Sequence, residues 1–214
     1  MPRPTIAEID LNALRFNLKQ IRQLVGQDVK ICPAVKADGY GHGAVPVSRA
    51  LLDAGADMLG VATLEEAAEL REAGISVPIL MLQCILDEQV AEVLASDTTV
   101  AVCTESSARA LSIEAQKSGK KAKVHIKIDT GMGRIGVQED QAVELAKKIA
   151  AMPGLEIEGA FTHFPSADED DLEFTRQQLG RFVAVTQAIE AAGIPLPLKH
   201  AANSAAILRL PEAH

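Results

Sequence analysis

The chain has 214 residues, 48% of them apolar and 23% charged, and a formal net charge of −8 from 21 Lys and Arg against 29 Asp and Glu. That length suits one sizeable α/β domain with a substantial core. The acidic balance, with no basic run and no aromatic–basic interleaving, argues against nucleic acid as a main partner, and no stretch has the apolar length of a membrane span or a signal peptide.

Asp10 reads as the N-cap of a first helix in which Leu11, Leu14, Leu18, Ile21 and Val25 recur at steps of three and four. KICPAVK (30–36) then reads as a buried strand and MLGVA (58–62) as a second. Thr63 and Glu66 form a T-x-x-E capping box that opens the next helix, which Gly74 ends. PILML (78–82) and TVAVC (99–103) are further strands, each followed by a helical stretch, from near Leu86 and from Thr104. AKVHIKID (122–129) is a fifth strand and LEIEGAFTHF (155–164) contains a sixth. A long helix is expected over 170–192, and LPLKHAAN (196–203) supplies a seventh strand despite its prolines.

Seven strand–helix repeats predict a parallel sheet, either closed as a (β/α) barrel or open and doubly wound. The first ten residues form a separate extended piece without a place in the repeat. Cys32, Cys84 and Cys103 lie far apart in sequence, in apolar segments and without a C-x-x-C pair. This odd set of thiols fits a reducing cytoplasm better than a disulfide framework.

Chemistry in parallel α/β sheets gathers where strands end, and four such places carry polar groups. In AVKADGYGHG (34–43), Lys36 shares a strand face with Cys32 and Ala34. It reads either as a strand-end amine paired with Asp38 or as a desolvated nucleophile whose pKa falls. The glycines behind it allow backbone to approach a ligand, and Tyr40, the one tyrosine in the chain, adds a phenolic donor. In HIKIDTGMGRIG (125–136), His125, Lys127 and Asp129 line one strand face, which is costly unless it lines a site or a barrel interior. Gly131, Gly133 and Gly136 match G-x-G-x-x-G, a weak dinucleotide signal in this late position. Arg134 within that loop reads instead as a donor to an anionic ligand oxygen.

His163 and His200 sit at strand ends; with no H-x-H or H-E-x-x-H spacing, no metal site is expected. Asn203 and Ser204 begin a small-residue segment suited either to a phosphate or to a helix cap.

Together, AVKADGYGHG, KIDTGMGRIG, THFPSADE and HAANSAA, in this order and spacing, resemble the alanine racemases that use pyridoxal 5′-phosphate, over essentially the whole chain. The resemblance implies a TIM-type (β/α)8 barrel, here truncated before its eighth strand and occupying residues 11–214. Residues 1–10 are then expected to pair with a C-terminal β-domain that this sequence lacks. It implies a homodimeric cytoplasmic isomerase that interconverts L- and D-alanine for cell-wall peptidoglycan, through an aldimine between Lys36 and the cofactor.

Carried over by position, Lys36 is one catalytic base. Tyr40 and Ser204 contact the cofactor phosphate, with Asn203 supporting that end. Arg134 lies beside the cofactor and the substrate carboxylate, and His163 packs near the pyridine ring. Lys127 matches a lysine that many members carbamylate. The second base in the family is a tyrosine from the partner's C-terminal domain, which this sequence does not contain. The 214 residues alone are therefore expected to racemise alanine poorly or not at all.

Overall fold

The computed structural model describes residues 5–214. Its strands are β1 (Leu59–Val61), β2 (Ile79–Cys84), β3 (Thr99–Val102), β4 (Ala122–Asp129), β5 (Val137–Gln138), β6 (Leu155–Phe161) and β7 (Leu198–His200). All pairings are parallel and the order is β1-β2-β3-β4-β6-β7, with β5 branching from the end of β4. Strands adjacent in sequence are adjacent in space, with helices between them, so the sheet curls as a barrel wall and does not reverse as a doubly wound sheet does.

The helices form where the sequence places their signals. Asp10 caps Leu11–Val25 by accepting the N–H groups of Asn12 and Ala13. Thr63 and Glu66 form the reciprocal box at the start of Leu64–Glu72. Glu173–Ala191 is the long helix expected over 170–192. Helix-facing strand residues such as Val100, Val102, Val124, Ile126 and Ile128 are buried in one continuous core with Leu64, Leu111, Ile149 and Ile189.

One expectation needs correction. KICPAVK does not form a ladder strand; it runs extended beside β1 and joins it by the single bridge Ala34–Gly60. The Val35 N–H donates to Gly60 O (2.8 Å), the Gly60 N–H to Pro33 O (2.8 Å) and the Asp57 N–H to Ile31 O (3.0 Å). Pro33 has no N–H to extend the pairing. The segment still occupies the first strand position, so the seven-fold repeat survives. Of the expected extended piece, residues 5–10 run without an assigned strand or helix up to the Asp10 cap, and the rest lies outside the described residues.

The sheet's inner face follows from register. Ala101 pairs with His125, His125 with Gly159, and Gly159 with Leu198; one layer further, Lys127 pairs with Phe161 and Phe161 with His200. Period two therefore puts His125 and Lys127 inside, as their alternation with Val124, Ile126 and Ile128 predicts. Gly159 makes room for this face, since a Cβ there would strike the Leu198 carbonyl and lie 3.1 Å from His125 Cε1.

Candidate functional site

Lys36 stands at the mouth of the barrel, followed by an unusual backbone. Ala37, Asp38, Gly39 and Tyr40 are all left-handed, with φ of 51°, 53°, 61° and 57°. Three of these are not glycine, and each such residue costs on the order of 1 kcal/mol. Side chains hold the turn from both ends. Glu66 accepts the Ala37 N–H (2.7 Å) through one oxygen, and the N–H groups of Ala62 (2.7 Å) and Thr63 (3.3 Å) through the other. Asp38 accepts the Ala44 N–H (2.7 Å), while the Gly39 N–H bonds back to Val35 O (2.8 Å). The Asp38 carboxylate thus secures the turn, and the Lys36 ammonium lies instead 5.9 Å from the Tyr40 ring centroid. Tyr40 itself is 60% exposed.

Of the two lysines that the sequence singled out, Lys127 is the more deeply buried. Lys36 is half-buried at the rim, whereas Lys127 is 5% exposed within the wall, its Nζ 4.0 Å from the Phe161 ring centroid. Burial, followed by the nearby Arg134 guanidinium, pushes Lys127 down to about 8. The cation–π contact contributes roughly 0.5–2 kcal/mol, too little to offset the loss of water.

Asp129 organises the glycine loop after β4. Its carboxylate accepts the N–H groups of Gly131 (3.0 Å) and Gly133 (3.0 and 3.1 Å). The chain then returns to pair Val137 with Ile128 and Gln138 with Asp129. Gly136, at φ 142°, packs so tightly under this return that a Cβ would sit 2.5 Å from Asp129 N. The G-x-G-x-x-G spacing thus answers to a local fold-back, which presents Arg134 on an exposed loop.

His163 follows β6 and is half-buried. Desolvation, then the charges of Lys127, Arg134 and Lys36, push it down to about 4, so it is neutral at neutral pH. Lys36, Lys127, Arg134 and His163 therefore form one cluster with a net positive field.

At the end of β7, Asn203 is the cap of Ser204–Arg209: its Oδ1 accepts the Ala206 N–H (3.0 Å) and its Nδ2 donates to Phe164 O (2.8 Å). The cap is thus Asn203, and Ser204 opens the helix with its side chain exposed. Among the described residues no group of three His, Cys, Asp or Glu is arranged to hold a metal, and no helix is long and apolar enough to cross a membrane.

Residues 9–214 match the family model for the N-terminal domain of alanine racemase. The chain belongs to the alanine racemase family.

Among curated alanine racemases, that of Desulfovibrio desulfuricans is 47% identical over 212 residues, covering 99% of this chain and 57% of the relative. That of Desulforamulus reducens is 47% identical over 215 residues, covering 100% and 58%. The solved alanine racemase of Clostridium difficile in complex with cycloserine superposes with a TM-score of 0.96 at 40% identity, over all of this chain and 59% of that one. The Bacillus anthracis alanine racemase with bound L-Ala-P gives a TM-score of 0.91 at 34% identity, covering 98% and 54%. The chain thus spans a little over half the length of the alanine racemases it matches, and its fold is that of their N-terminal barrel domain.

Two features of this racemase-family barrel were not legible in the sequence. One is the reach of Glu66 from its own helix cap across to the Lys36 turn; T-x-x-E marks the cap but carries no sign of a third acceptor contact. The other is a buried polar chain behind Lys127. His125 Nδ1 lies 2.9 Å from His200 Nε2, and His125 Nε2 lies 3.3 Å from Glu158 Oε2. His200 also stacks on Phe161, with ring centroids 4.7 Å apart. Burial, then the His125 and Lys127 charges, keep His200 well below its ordinary range, while the His125 bond, followed by Lys123, holds Glu158 down to about 2. A bulge between Val124 and His125 in the β4–β6 register brings Glu158 within reach of this face.

Proposed function

We propose that this chain is the barrel portion of a pyridoxal 5′-phosphate-dependent alanine racemase, an isomerase interconverting L- and D-alanine. On this reading it works as a cytoplasmic homodimer and supplies D-alanine for peptidoglycan. The observation that carries the reading is the convergence of Lys36, Lys127 and Arg134 on a neutral His163 at the strand ends of a racemase-family barrel. That field fits a cofactor bearing a phosphate, a phenolic oxygen and, once substrate is bound, a carboxylate.

When bound, the cofactor supplies an electron sink that acidifies the substrate's α-hydrogen. Lys36 Nζ would hold the cofactor aldehyde and carry the proton on one face of the substrate. The strained turn behind it fixes where that amine sits. Tyr40 and Ser204 would bind the phosphate, with Asn203 holding the start of its helix in place. Arg134 would orient the carboxylate, and His163, kept neutral, would pack against the ring without adding a competing cation. Tyr40 is the sole tyrosine here, so the second base of a two-base mechanism would come from outside these residues, and the 214 residues alone would turn over little. A Lys127 amine at about 8 is neutral often enough to take up carbon dioxide, and the resulting carbamate would pair with Arg134.

The test is addition of pyridoxal 5′-phosphate to the full-length protein, followed by borohydride and peptide mapping, alongside a chiral assay of alanine. Fixation on Lys36, its loss in Lys36→Ala, and conversion of L- to D-alanine are expected. Fixation on another lysine, or binding without conversion, would overturn the proposal.

A further inference from the structure

Cys84 and Cys103 are 19 positions apart in sequence, yet their sulfur atoms lie 2.8 Å from each other. Register explains the meeting. The irregularity between Met81 and Cys84 pairs Cys84 with Ala101, and period two puts Cys103 on the same inner face as Ala101. Both are free thiols and both are half-buried on the wall that carries Lys127. A disulfide needs an S–S distance of about 2.05 Å, so closure asks for a sulfur movement of less than about 1 Å, within the reach of side-chain rotation.

We propose that Cys84 and Cys103 are a redox-active dithiol pair, closed to a disulfide on the barrel's inner wall by a hydroperoxide. Cys103 is the attacking sulfur. The hydrogen bond from Cys84 holds it down to about 7, with help from the Gly136 N–H and Lys127, while Cys84 is pushed far up by the same bond and by burial. The Cys103 thiolate attacks the peroxide's outer oxygen: an S–O bond forms, the O–O bond breaks, and the alkoxide leaves as the alcohol after taking a proton. Cys84 then attacks the sulfenic sulfur. The S–S bond forms, the S–O bond breaks, and hydroxide leaves as water with the Cys84 proton. Two thiols lose two electrons in all, and one hydroperoxide is reduced to alcohol and water.

The third cysteine is the internal control, since desolvation pushes the Cys32 thiol up to about 12. Closure also has a consequence inside the wall. The Cys103 thiolate helps to hold the proton on Lys127, and once the pair is joined that negative charge is gone while Asp129 remains. The pair's redox state thereby sets how readily Lys127 becomes neutral. The thiol chemistry itself does not rest on the racemase reading.

The experiment treats reduced, desalted full-length protein with an equivalent of an alkyl hydroperoxide, blocks remaining thiols with N-ethylmaleimide under denaturing conditions, and maps the peptides. A linked peptide joining Cys84 to Cys103, reversed by dithiothreitol and formed at least about tenfold faster than any modification of Cys32, is expected. In Cys103→Ser, peroxide consumption falls at least about tenfold and Cys84 stays alkylatable. Full alkylation of both thiols after peroxide, linkage to Cys32 or between molecules, or wild-type peroxide consumption by Cys103→Ser would overturn it. Should Cys103→Ser fail to fold, the wild-type map decides alone.

Discussion

Glu66→Ala removes a side chain that ties the Lys36 turn to the neighbouring helix. The carboxylate makes two 2.7 Å bonds, to Ala37 and Ala62, and a weaker one of 3.3 Å to Thr63. A charged acceptor contributes about 1.5–3 kcal/mol per bond when buried. Glu66 is only half-buried, so the low end applies to the two short bonds, and about 2–3 kcal/mol of stability should be lost. Glu66→Gln keeps one carbonyl oxygen and should lose about 1 kcal/mol, and Thr63→Ala, which removes the cap alone, about 1 kcal/mol. Urea denaturation gives these values, but the distinguishing readout is hydrogen exchange at the Ala37 amide. Its protection should fall at least about tenfold in Glu66→Ala, equivalent to about 1.4 kcal/mol, and stay near wild type in Thr63→Ala. Equal losses of stability and equal protection at Ala37 in both variants would show that Glu66 serves only its own helix, and would refute its role in holding the turn.

Gly136→Ala places a Cβ 2.5 Å from Asp129 N at a backbone φ of 142°, and should cost about 3 kcal/mol or more by thermal unfolding; a loss under about 1 kcal/mol would mean the loop can open without penalty. His163, at about 4 when folded against an ordinary 6.5, takes up its proton more readily unfolded, so its contribution to stability is complete above about 6.5 and declines as pH falls toward 4. NMR titration of its imidazole near its ordinary value would contradict its desolvation, and after it the influence of the surrounding cations. Lys127, at about 8 against 10.5, has the same sign, and stability should rise as pH climbs from about 8 to 10.5. In carbon dioxide-free buffer, Lys127→Met should stabilise the protein at pH 7 by about 1–2 kcal/mol, because it removes a buried ammonium beside Arg134. If the same substitution destabilises the protein in bicarbonate, and a labelled carbamate carbon appears by NMR, the amine is carbamylated; an unchanged sign there would exclude that modification.

Much of the fold is written in periodicity. The alternation of Val124, Ile126 and Ile128 with His125 and Lys127 determines which face of β4 meets the helices, because neighbouring strand residues must point oppositely. Asp10 and the Thr63–Glu66 box start their helices through contacts within four residues. The four strand-end motifs were legible for the same reason: local chemistry at the end of an apolar run. Distances between strands were not. That Lys127 is buried with its amine against the Phe161 ring and within the field of Arg134 depends on neighbouring strands and loops, and the local pattern of β4 carries no sign of which neighbours those are. That Cys84 meets Cys103 depends on a register irregularity, which shifts which residues face each other without altering the local pattern. The short β5 was missed because two residues hold no period, and the left-handed run after Lys36 opposes the preference of every non-glycine residue in it. The sequence by itself determined the order of strands and helices and the positions where chemistry could sit. Only the tertiary structure decided which of those groups lie in water, which lie in each other's field and what holds them there, because desolvation and Coulomb interaction depend on separation in space and not along the chain.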